Sequence, residues 1–345
     1  MARIIAPDVA PTPSAPGRGR VLGPGFRYAL SRVLSSVATL IFVILFNFFL
    51  FRLLPGDPIS LYTRGRDVDP EIKRQLQAKF NAPIWEQFTQ YLKNPFVPEL
   101  PSQKFSAPVW DVITPRIWPT LLLVGTATVL ATTFGVWLGV RSAWKRGQRF
   151  DKVATTTTLV LYSMPEFWFG MILLIVFSVG VFGIPGVFPV GGLSTPGVDT
   201  GTLAGMADVA WHLALPVVTL TVVYLAEYSL VMRASLIDEM GQDYLQTARA
   251  KGLRDSDVRR RHALPNALLP TTTLIFLNLG FVIGGAITIE YVFSLTGLGS
   301  LTVAALRGPD IPLLQTLFLL FSAAVIVANL VADLLYARLD PRVRT

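Results

Sequence analysis

The side chains in this sequence that could support thiol, metal or nucleotide chemistry are few. The chain has no cysteine and only two histidines, His212 and His262, so thiolate clusters and multi-histidine metal sites are excluded. It contains no glycine-rich loop ending in Gly-Lys-Ser or Gly-Lys-Thr and no His-Glu-x-x-His pattern. The short Gly297-Leu298-Gly299 segment indicates a turn. We therefore expect no catalysis, no metal and no cofactor bound by this chain.

Polar residues inside long apolar runs are the more informative chemical signal, because such groups are costly in hydrocarbon and often line a transport path. The candidates in this setting are Asn47, Glu166, Glu227 and Asn278. Each has a structural alternative. Glu227 can pair with Arg233, Glu166 can cap backbone groups freed by Pro165, and the two asparagines can bond between helices.

The apolar runs require a bilayer as their solvent. Of the 345 residues 52% are hydrophobic and 15% charged, which is more apolar surface than a soluble core can hide. Because a membrane-spanning helix needs about 20 apolar residues, the sequence predicts an all-α membrane protein with six transmembrane helices. Their predicted bounds are Val33–Leu54, Trp118–Val140, Ala154–Val179, Trp211–Met232, Ala267–Ile289 and Leu313–Tyr336.

Basic residues in the connections predict the orientation. They are concentrated in residues 141–152 and 233–266, whereas residues 180–210 have none and Glu290–Pro312 has only Arg307. Basic short loops stay cytoplasmic, so both termini are expected on the cytoplasmic side of the membrane. The net charge of +8 is therefore attributed to topology and anionic lipid, and not to nucleic acid.

The remaining organisation follows from composition. Residues 1–25 have no apolar run and predict a disordered cytoplasmic tail, followed by a first transmembrane helix in residues 26–54 and a five-helix core in residues 118–345. The extracytoplasmic segment, residues 55–117, is expected to be helical in part. There Pro55-Gly56-Asp57-Pro58 ends the first span, and Pro70-Glu71 opens an amphipathic helix towards Phe80. Aromatic residues that pack at helical spacing follow it: Trp85, Phe88 and Tyr91.

Small residues and prolines within the spans predict how the helices pack and bend. Gly135 with Gly139, and Gly280 with Gly284, are spaced to let helices approach closely. Pro165 and Pro216 predict kinks.

The 233–266 loop has the most specific pattern. Its residues predict a short helix stopped by Gly252, a turn capped by Asp255 or Ser256, and a second basic helix that ends near Pro265. On physical grounds alone, two interpretations are equally supported. In the first the loop is an amphipathic hairpin on lipid headgroups, which Arg259–Arg261 favour; in the second it is a docking element for a cytoplasmic partner.

The spacing in this loop resembles the EAA signature of ABC-importer permeases, which is Glu-Ala-Ala, three residues, Gly, nine residues and Ile-x-Leu-Pro. Gln246-Thr247-Ala248 takes the first place, Gly252 follows, and His262-Ala263-Leu264-Pro265 takes the last. Gln246 and His262 depart from the pattern. The sequence Thr-Ala-Arg-Ala-Lys-Gly, from Thr247 to Gly252, is similar to that of permeases of the dipeptide/oligopeptide B-subunit type. Other segments with this resemblance are 54–58, 164–170, 212–216, 290–299, 333–336 and 339–342.

This resemblance implies a type I importer permease fold whose coupling helix enters a groove of an ATPase subunit. It implies a heterodimer with a second permease, two cytoplasmic ATPase subunits that hold ATP and Mg, and an extracytoplasmic peptide-binding protein. The residues expected to couple to the ATPase are Asp243, Gln246, Thr247, Ala248, Arg249, Lys251, Gly252, Leu264 and Pro265. Small Ala248 and Gly252 would permit close approach, and Arg249 and Lys251 would pair with acidic groups of the partner.

Three matters stay open at this stage. The resemblance leaves the substrate among dipeptides, longer peptides, glutathione, nickel chelates and haem. It does not extend to the segment before Phe26, and Pro95–Val109 lacks the usual Gly-Asp-x-Gly, which leaves the docking surface for the binding protein open.

The rival class is a secondary transporter, which would need proton or ion sites at mid-membrane, usually in repeated halves. No repeat is evident, and Glu166 and Glu227 are the acids available in the spans.

Overall fold

The computed structural model describes residues 24–53, 81–98, 100–181 and 183–339, together with residues 71, 74, 77 and 78. The tail, the Pro55–Pro58 segment, most of the predicted helix towards Phe80 and the 340–342 segment lie outside these ranges. The helices are α1 (Pro24–Arg52), α2 (Ile84–Lys93), α3 (Val109–Trp144), α4 (Arg149–Ser163), α5 (Glu166–Leu174), α6 (Leu203–Met240), α7 (Asp243–Ala250), α8 (Asp255–Asp257), α9 (Leu264–Val292), α10 (Leu298–Arg307) and α11 (Ile311–Leu339). A small hairpin of β1 (Gly180–Val181) and β2 (Ile184–Pro185) pairs Gly180 with Pro185.

The described chain is a helical membrane protein. Four helices are long and apolar enough to cross a bilayer: Phe26–Arg52, Val109–Trp144, Leu203–Met240 and Ile311–Leu335. A fifth crossing is formed if α4 and the helical segment that follows it, Glu166–Val179, count as one span. The predicted segment Ala267–Ile289 lies within α9, whose residues 279–285 have side chains outside the description.

The third predicted span is not one continuous helix, and this part of the prediction is wrong. Helix α4 and the segment Glu166–Val179 are bent by 97° at the break between Ser163 and Glu166. Pro165 has no amide hydrogen and disfavours a helical conformation at the preceding residue, and Met164 is indeed extended. The predicted kink at Pro165 is thus a full break, whereas Pro216 lies inside the uninterrupted α6.

Two glycines bring α3 against α6, as their spacing predicted. A Cβ added to Gly135 would lie 2.9 Å from the carbonyl oxygen of Leu225, and one added to Gly139 would lie 2.6 Å from that of Ser229. No side chain fits in these gaps, so the two backbones are in direct contact. The side chains around the second predicted pair, Gly280 and Gly284, lie outside the description.

A buried carboxylate organises the end of the bundle that carries α10. Glu290 is 1% exposed and accepts hydrogen bonds from Thr120 Oγ1 at 2.5 Å and from the backbone N–H of Ser300 at 3.0 Å. Its position at the N-terminus of α10 is favourable because the first turn of a helix presents unpaired N–H groups. A Cβ on Gly297 would collide with this carboxylate. The sequence from Glu290 to Gly299 therefore supplies both the buried carboxylate and the glycine that leaves room for it.

The segment between α1 and α3 packs against the same end. Phe88 contacts the rings of Phe48 and Phe49, and Asn47 Nδ2 donates to the Tyr91 hydroxyl at 3.3 Å. The predicted packing role of these aromatic residues is confirmed for Phe88 and Tyr91. Trp85 is 69% exposed.

Asp310 closes this end of the bundle. The Asp310 carboxylate is fully buried and accepts from Ser102 Oγ and from the backbone N–H groups of Lys104 and Leu313, so it fixes the outer segment to the start of α11.

Candidate functional site

The 233–266 loop folds as the predicted helix–turn–helix, with a different second half. Helix α7 is followed by a turn, the short α8 and a π-helical turn, Val258–Ala263, that continues directly into α9. Pro265 is therefore the second residue of α9 and does not end a helix. Proline is accommodated there because the preceding π-helical turn already interrupts the regular hydrogen-bond ladder, which the missing amide hydrogen would otherwise break. The expected end near Pro265 is wrong for this reason.

Gly252 ends α7 through a Schellman motif. Its N–H donates to the carbonyl of Arg249 at 2.9 Å, and the N–H of Leu253 reaches the carbonyl of Ala248 at 3.4 Å. Gly252 has φ +81°, and a Cβ added to it would meet nothing within 4 Å. Its conformation, and not a lack of space within this chain, requires glycine.

The turn after Gly252 is not capped as predicted. Arg254 is the residue before α8, and no side chain caps that helix. Asp255 is already the first helical residue, so its carboxylate faces back across the turn and accepts from Arg249 Nε at 3.1 Å. The pair is exposed on both sides, and such pairs contribute little to stability.

Helix α7 has one face against its own chain and one face open. Leu245 is fully buried and Ala248 is 7% exposed, and both pack with Val258, Ala263 and Leu236. Leu245 and Ala248 thus form the i, i+3 stripe that α7 turns towards its own chain, so Ala248 is not part of the open face. The open face carries the predicted residues Asp243, Gln246, Thr247, Arg249, Lys251 and Gly252. Leu264 is half-buried beside this cluster and Pro265 is exposed.

A buried ion pair lies at Arg233, the first residue of the 233–266 segment and still within α6, and the sequence analysis missed it. The Asp151 carboxylate, 3% exposed, accepts from Arg233 Nε at 2.6 Å and from a terminal guanidinium nitrogen at 2.9 Å. Gly147 N–H and Thr155 Oγ1 complete its hydrogen bonds. Asp151 is the acidic residue among the basic residues of the 141–152 loop, a signal that could have drawn attention to it. The predicted pairing of Arg233 with Glu227 is wrong.

Part of the basic character of the loop is directed at the protein itself. The guanidinium of Arg259 lies 4.9 Å from the ring centroid of Trp144, at the end of α3. Arg260 and Arg261 are exposed. The contact of Arg259 anchors the second half of the loop to α3 and weakens the interpretation of the whole triplet as a lipid-facing strip.

The polar residues within the spans bond between helices. Asn278 Nδ2 donates to Glu227 Oε2 at 2.9 Å, linking α9 to α6, and Asn47 Nδ2 donates to the carbonyl of Gln315 at 3.0 Å, linking α1 to α11. Glu166 accepts from Thr288 Oγ1 at 2.6 Å. Among the described residues no backbone N–H donates to the Glu166 carboxylate, so its expected capping role is not observed.

The carboxylates of Glu166 and Glu227 accept hydrogen bonds but have no cationic partner among the described residues. Among the described residues, no ion pair includes Glu166 or Glu227, and both are half-exposed on the single chain. Within the same ranges, no three His, Asp or Glu side chains come close enough to hold a metal ion.

Comparison with known families places the chain among transport components. Residues 131–345 match the family described as binding-protein-dependent transport system inner membrane component, and residues 25–122 match the family that describes its N-terminal part.

Curated relatives match over nearly the whole length. The chain is 36% identical to the dipeptide transport system permease protein DppB of Escherichia coli (strain K12) and 33% identical to the oligopeptide transport system permease protein AppB of Bacillus subtilis (strain 168). It is 36% identical to the glutathione transport system permease protein GsiC of Pectobacterium atrosepticum. Each alignment covers 92% of this chain and 98% of the relative.

A solved structure shares the fold. An inward-facing structure of the MetNI methionine ABC transporter superposes with a TM-score of 0.51 at 16% identity, covering 66% of this chain and 96% of the solved one. At this identity the likeness concerns the fold alone.

Proposed function

Because this chain belongs to the family of binding-protein-dependent transport system inner membrane components, we propose that it is a transmembrane permease subunit of an ATP-driven peptide importer. The relatives named for dipeptide, oligopeptide and glutathione transport support a peptide as the transported substrate. The observation that carries the proposal is the spaced 233–266 loop, folded so that one face of α7 stays open.

The permease acts with partners. A second permease would complete the translocation path, two cytoplasmic ATPase subunits would hold ATP and Mg, and an extracytoplasmic peptide-binding protein would deliver the substrate. The absence of a nucleotide-binding pattern in this sequence supports placing ATP on the partners. The proposed spans are α1, α3, the α4–α5 pair, α6, α9 and α11. An even number would put both termini on one side of the membrane, and the basic loops support the cytoplasmic side.

The coupling loop, residues 233–266, would enter the ATPase groove with the open face of α7. Gly252 presents bare backbone there, and Lys251 and Arg249 supply positive charge for acidic groups of the ATPase. The opposite face, with Leu245 and Ala248, packs on α6 and the start of α9. Displacement of α7 by the ATPase is thereby passed to these two spans.

The substrate path is proposed to run beside Glu166 and Glu227. A half-exposed carboxylate within a span is unfavourable against lipid, so these groups face the second permease or water. A peptide importer of broad range needs a weakly binding passage, and selection among substrates would fall to the binding protein. A proton-driven transporter is not favoured, because the relatives are ABC permeases.

The proposal is tested by reconstitution. The chain is co-expressed with its permease and ATPase partners, purified and placed in proteoliposomes with the binding protein and a labelled dipeptide. Uptake should require ATP and stop when the P-loop lysine of the ATPase subunits is replaced. Uptake driven by a proton gradient without ATP would refute it.

A further inference from the structure

The phenol of Tyr244 joins three segments at the α7 end of the bundle. It donates to the carboxylate of Glu239, near the end of α6, and lies 3.1 Å from the carbonyl oxygen of His262, in the π-helical turn. Asn266 Nδ2, in the first turn of α9, donates to the Tyr244 hydroxyl at 2.8 Å and to Glu239 Oε1 at 3.2 Å. One side chain thus connects α7 to the ends of both helices between which the loop runs.

The two acceptors compete for one hydrogen. A phenol has a single O–H to donate, so a full hydrogen bond goes either to Glu239 or to His262. The carboxylate is the stronger acceptor. Since Glu239 belongs to α6 and His262 to the segment leading into α9, the choice of acceptor is also a choice of helix.

Among the described residues, the other contacts of α7 with α6 and α9 are apolar, while Arg249 bonds to Asp255 in α8. Leu245 and Ala248 pack in an apolar cluster, which resists separation but tolerates small rotations of the helix. Hydrogen bonds have preferred angles and distances, so the Tyr244 contacts are the ones that fix how α7 is turned. The π-helical turn at Val258–Ala263 adds a place where the helix ladder is already irregular.

We propose that Tyr244 is a positioning residue that fixes the orientation of α7 relative to α6 and α9, so that displacement of the coupling loop moves the spans. This inference rests on the proposed function. Tyr244 acts through Glu239, Asn266 and His262 and touches no substrate. Loss of its hydroxyl leaves the apolar contact in place but lets α7 turn on it, so that less of its displacement reaches the two spans and less peptide is taken up per ATP hydrolysed.

The test compares peptide taken up per ATP hydrolysed in the reconstituted complex. Tyr244→Phe keeps the ring and removes the hydroxyl. It should leave co-purification with the ATPase subunits at the wild-type ratio and lower uptake per ATP about fivefold, the size expected from losing one or two hydrogen bonds. Glu239→Gln retains an oxygen acceptor and should restore most of the coupling that Glu239→Ala loses. Tyr162→Phe, the same change on an exposed tyrosine of α4, is the control and should change nothing.

A second measurement does not depend on transport. In the purified complex, amide hydrogen exchange in residues 243–250 should be faster in Tyr244→Phe, while exchange in residues 213–220 stays unchanged. Wild-type exchange in residues 243–250, or a wild-type coupling ratio, would overturn the inference. Loss of co-purification would also overturn it, since Tyr244 would then be a docking contact. Failure of the wild-type complex to use ATP would count against the proposed function, and the exchange result would still decide the role of Tyr244.

Discussion

The carboxylate of Asp151 and the guanidinium of Arg233 form a two-pronged ion pair, with N–O distances of 2.6 and 2.9 Å, between α4 and the part of α6 that leads into the coupling loop. Asp151 is buried, whereas Arg249 and Asp255 form a pair on the open surface of the same loop. The two pairs allow a direct comparison of a buried and an exposed ion pair in one chain.

Removing one partner of the buried pair should destabilise the chain strongly. Asp151→Ala leaves Arg233 without its counter-charge and should cost about 3 kcal/mol of unfolding free energy. Asp255→Ala removes an exposed partner and should cost less than about 1 kcal/mol. Denaturant unfolding of the two variants in detergent micelles measures both. Equal losses would show that the Asp151 pair is not a structural link.

Gly252 should tolerate residues that accept a left-handed conformation. Gly252→Asn should retain most ATP-driven uptake, while Gly252→Val should lower uptake at least about tenfold, because a β-branched residue is strained at φ +81°. Gly197→Val is the matched control, since Gly197 has φ +87° and a Cβ there also meets nothing within 4 Å. If both valine variants reduce uptake equally, the effect is general strain and not coupling.

The two faces of α7 should separate stability from coupling. Ala248→Leu overfills the cluster with Leu245 and should lower the stability of the chain by about 1 to 3 kcal/mol. Lys251→Glu reverses a charge on the open face, and should leave stability unchanged while weakening retention of the ATPase subunits, more so at low salt. Thermal unfolding and co-purification measure the two effects. A stable Ala248→Leu chain would contradict the inward position of this residue.

Glu290 should be sensitive even to its isosteric amide. In Glu290→Gln one oxygen becomes an NH₂ group. Facing Ser300 it meets an N–H donor, and facing Thr120 it requires the hydroxyl to donate to the Arg116 carbonyl instead of to Glu290. Both arrangements replace charge-assisted hydrogen bonds by weaker or unmet ones, which should cost about 1 to 3 kcal/mol. Denaturant unfolding checks this, with Glu239→Gln on an exposed hydrogen-bond cluster as the control. Equal stability of the two variants would contradict the Glu290 network.

What the sequence predicted well is local in the chain. The apolar runs, the presence of a bend at Pro165 and the end of α7 at Gly252 each depend on residues within a few positions of one another. The pairing of Asp151 with Arg233 joins residues 82 positions apart, and that of Glu290 with Thr120 spans 170. No periodicity marks such partners. The inward position of Ala248 was missed for a related reason, because the face that α7 buries depends on Val258 and Ala263 folding back against it.

The central claim is that the open face of α7 contacts an ATPase subunit, and the natural absence of cysteine makes a direct measurement possible. Single cysteines are introduced as Gln246→Cys and Lys251→Cys on that face and as Leu203→Cys at the opposite end of α6, and each is labelled with a photoactivatable maleimide in the assembled complex. We predict crosslinks to the ATPase subunit from positions 246 and 251, changing in yield with ATP, and none from position 203. Absence of ATPase crosslinks from positions 246 and 251, or equal yield from position 203, would contradict the account.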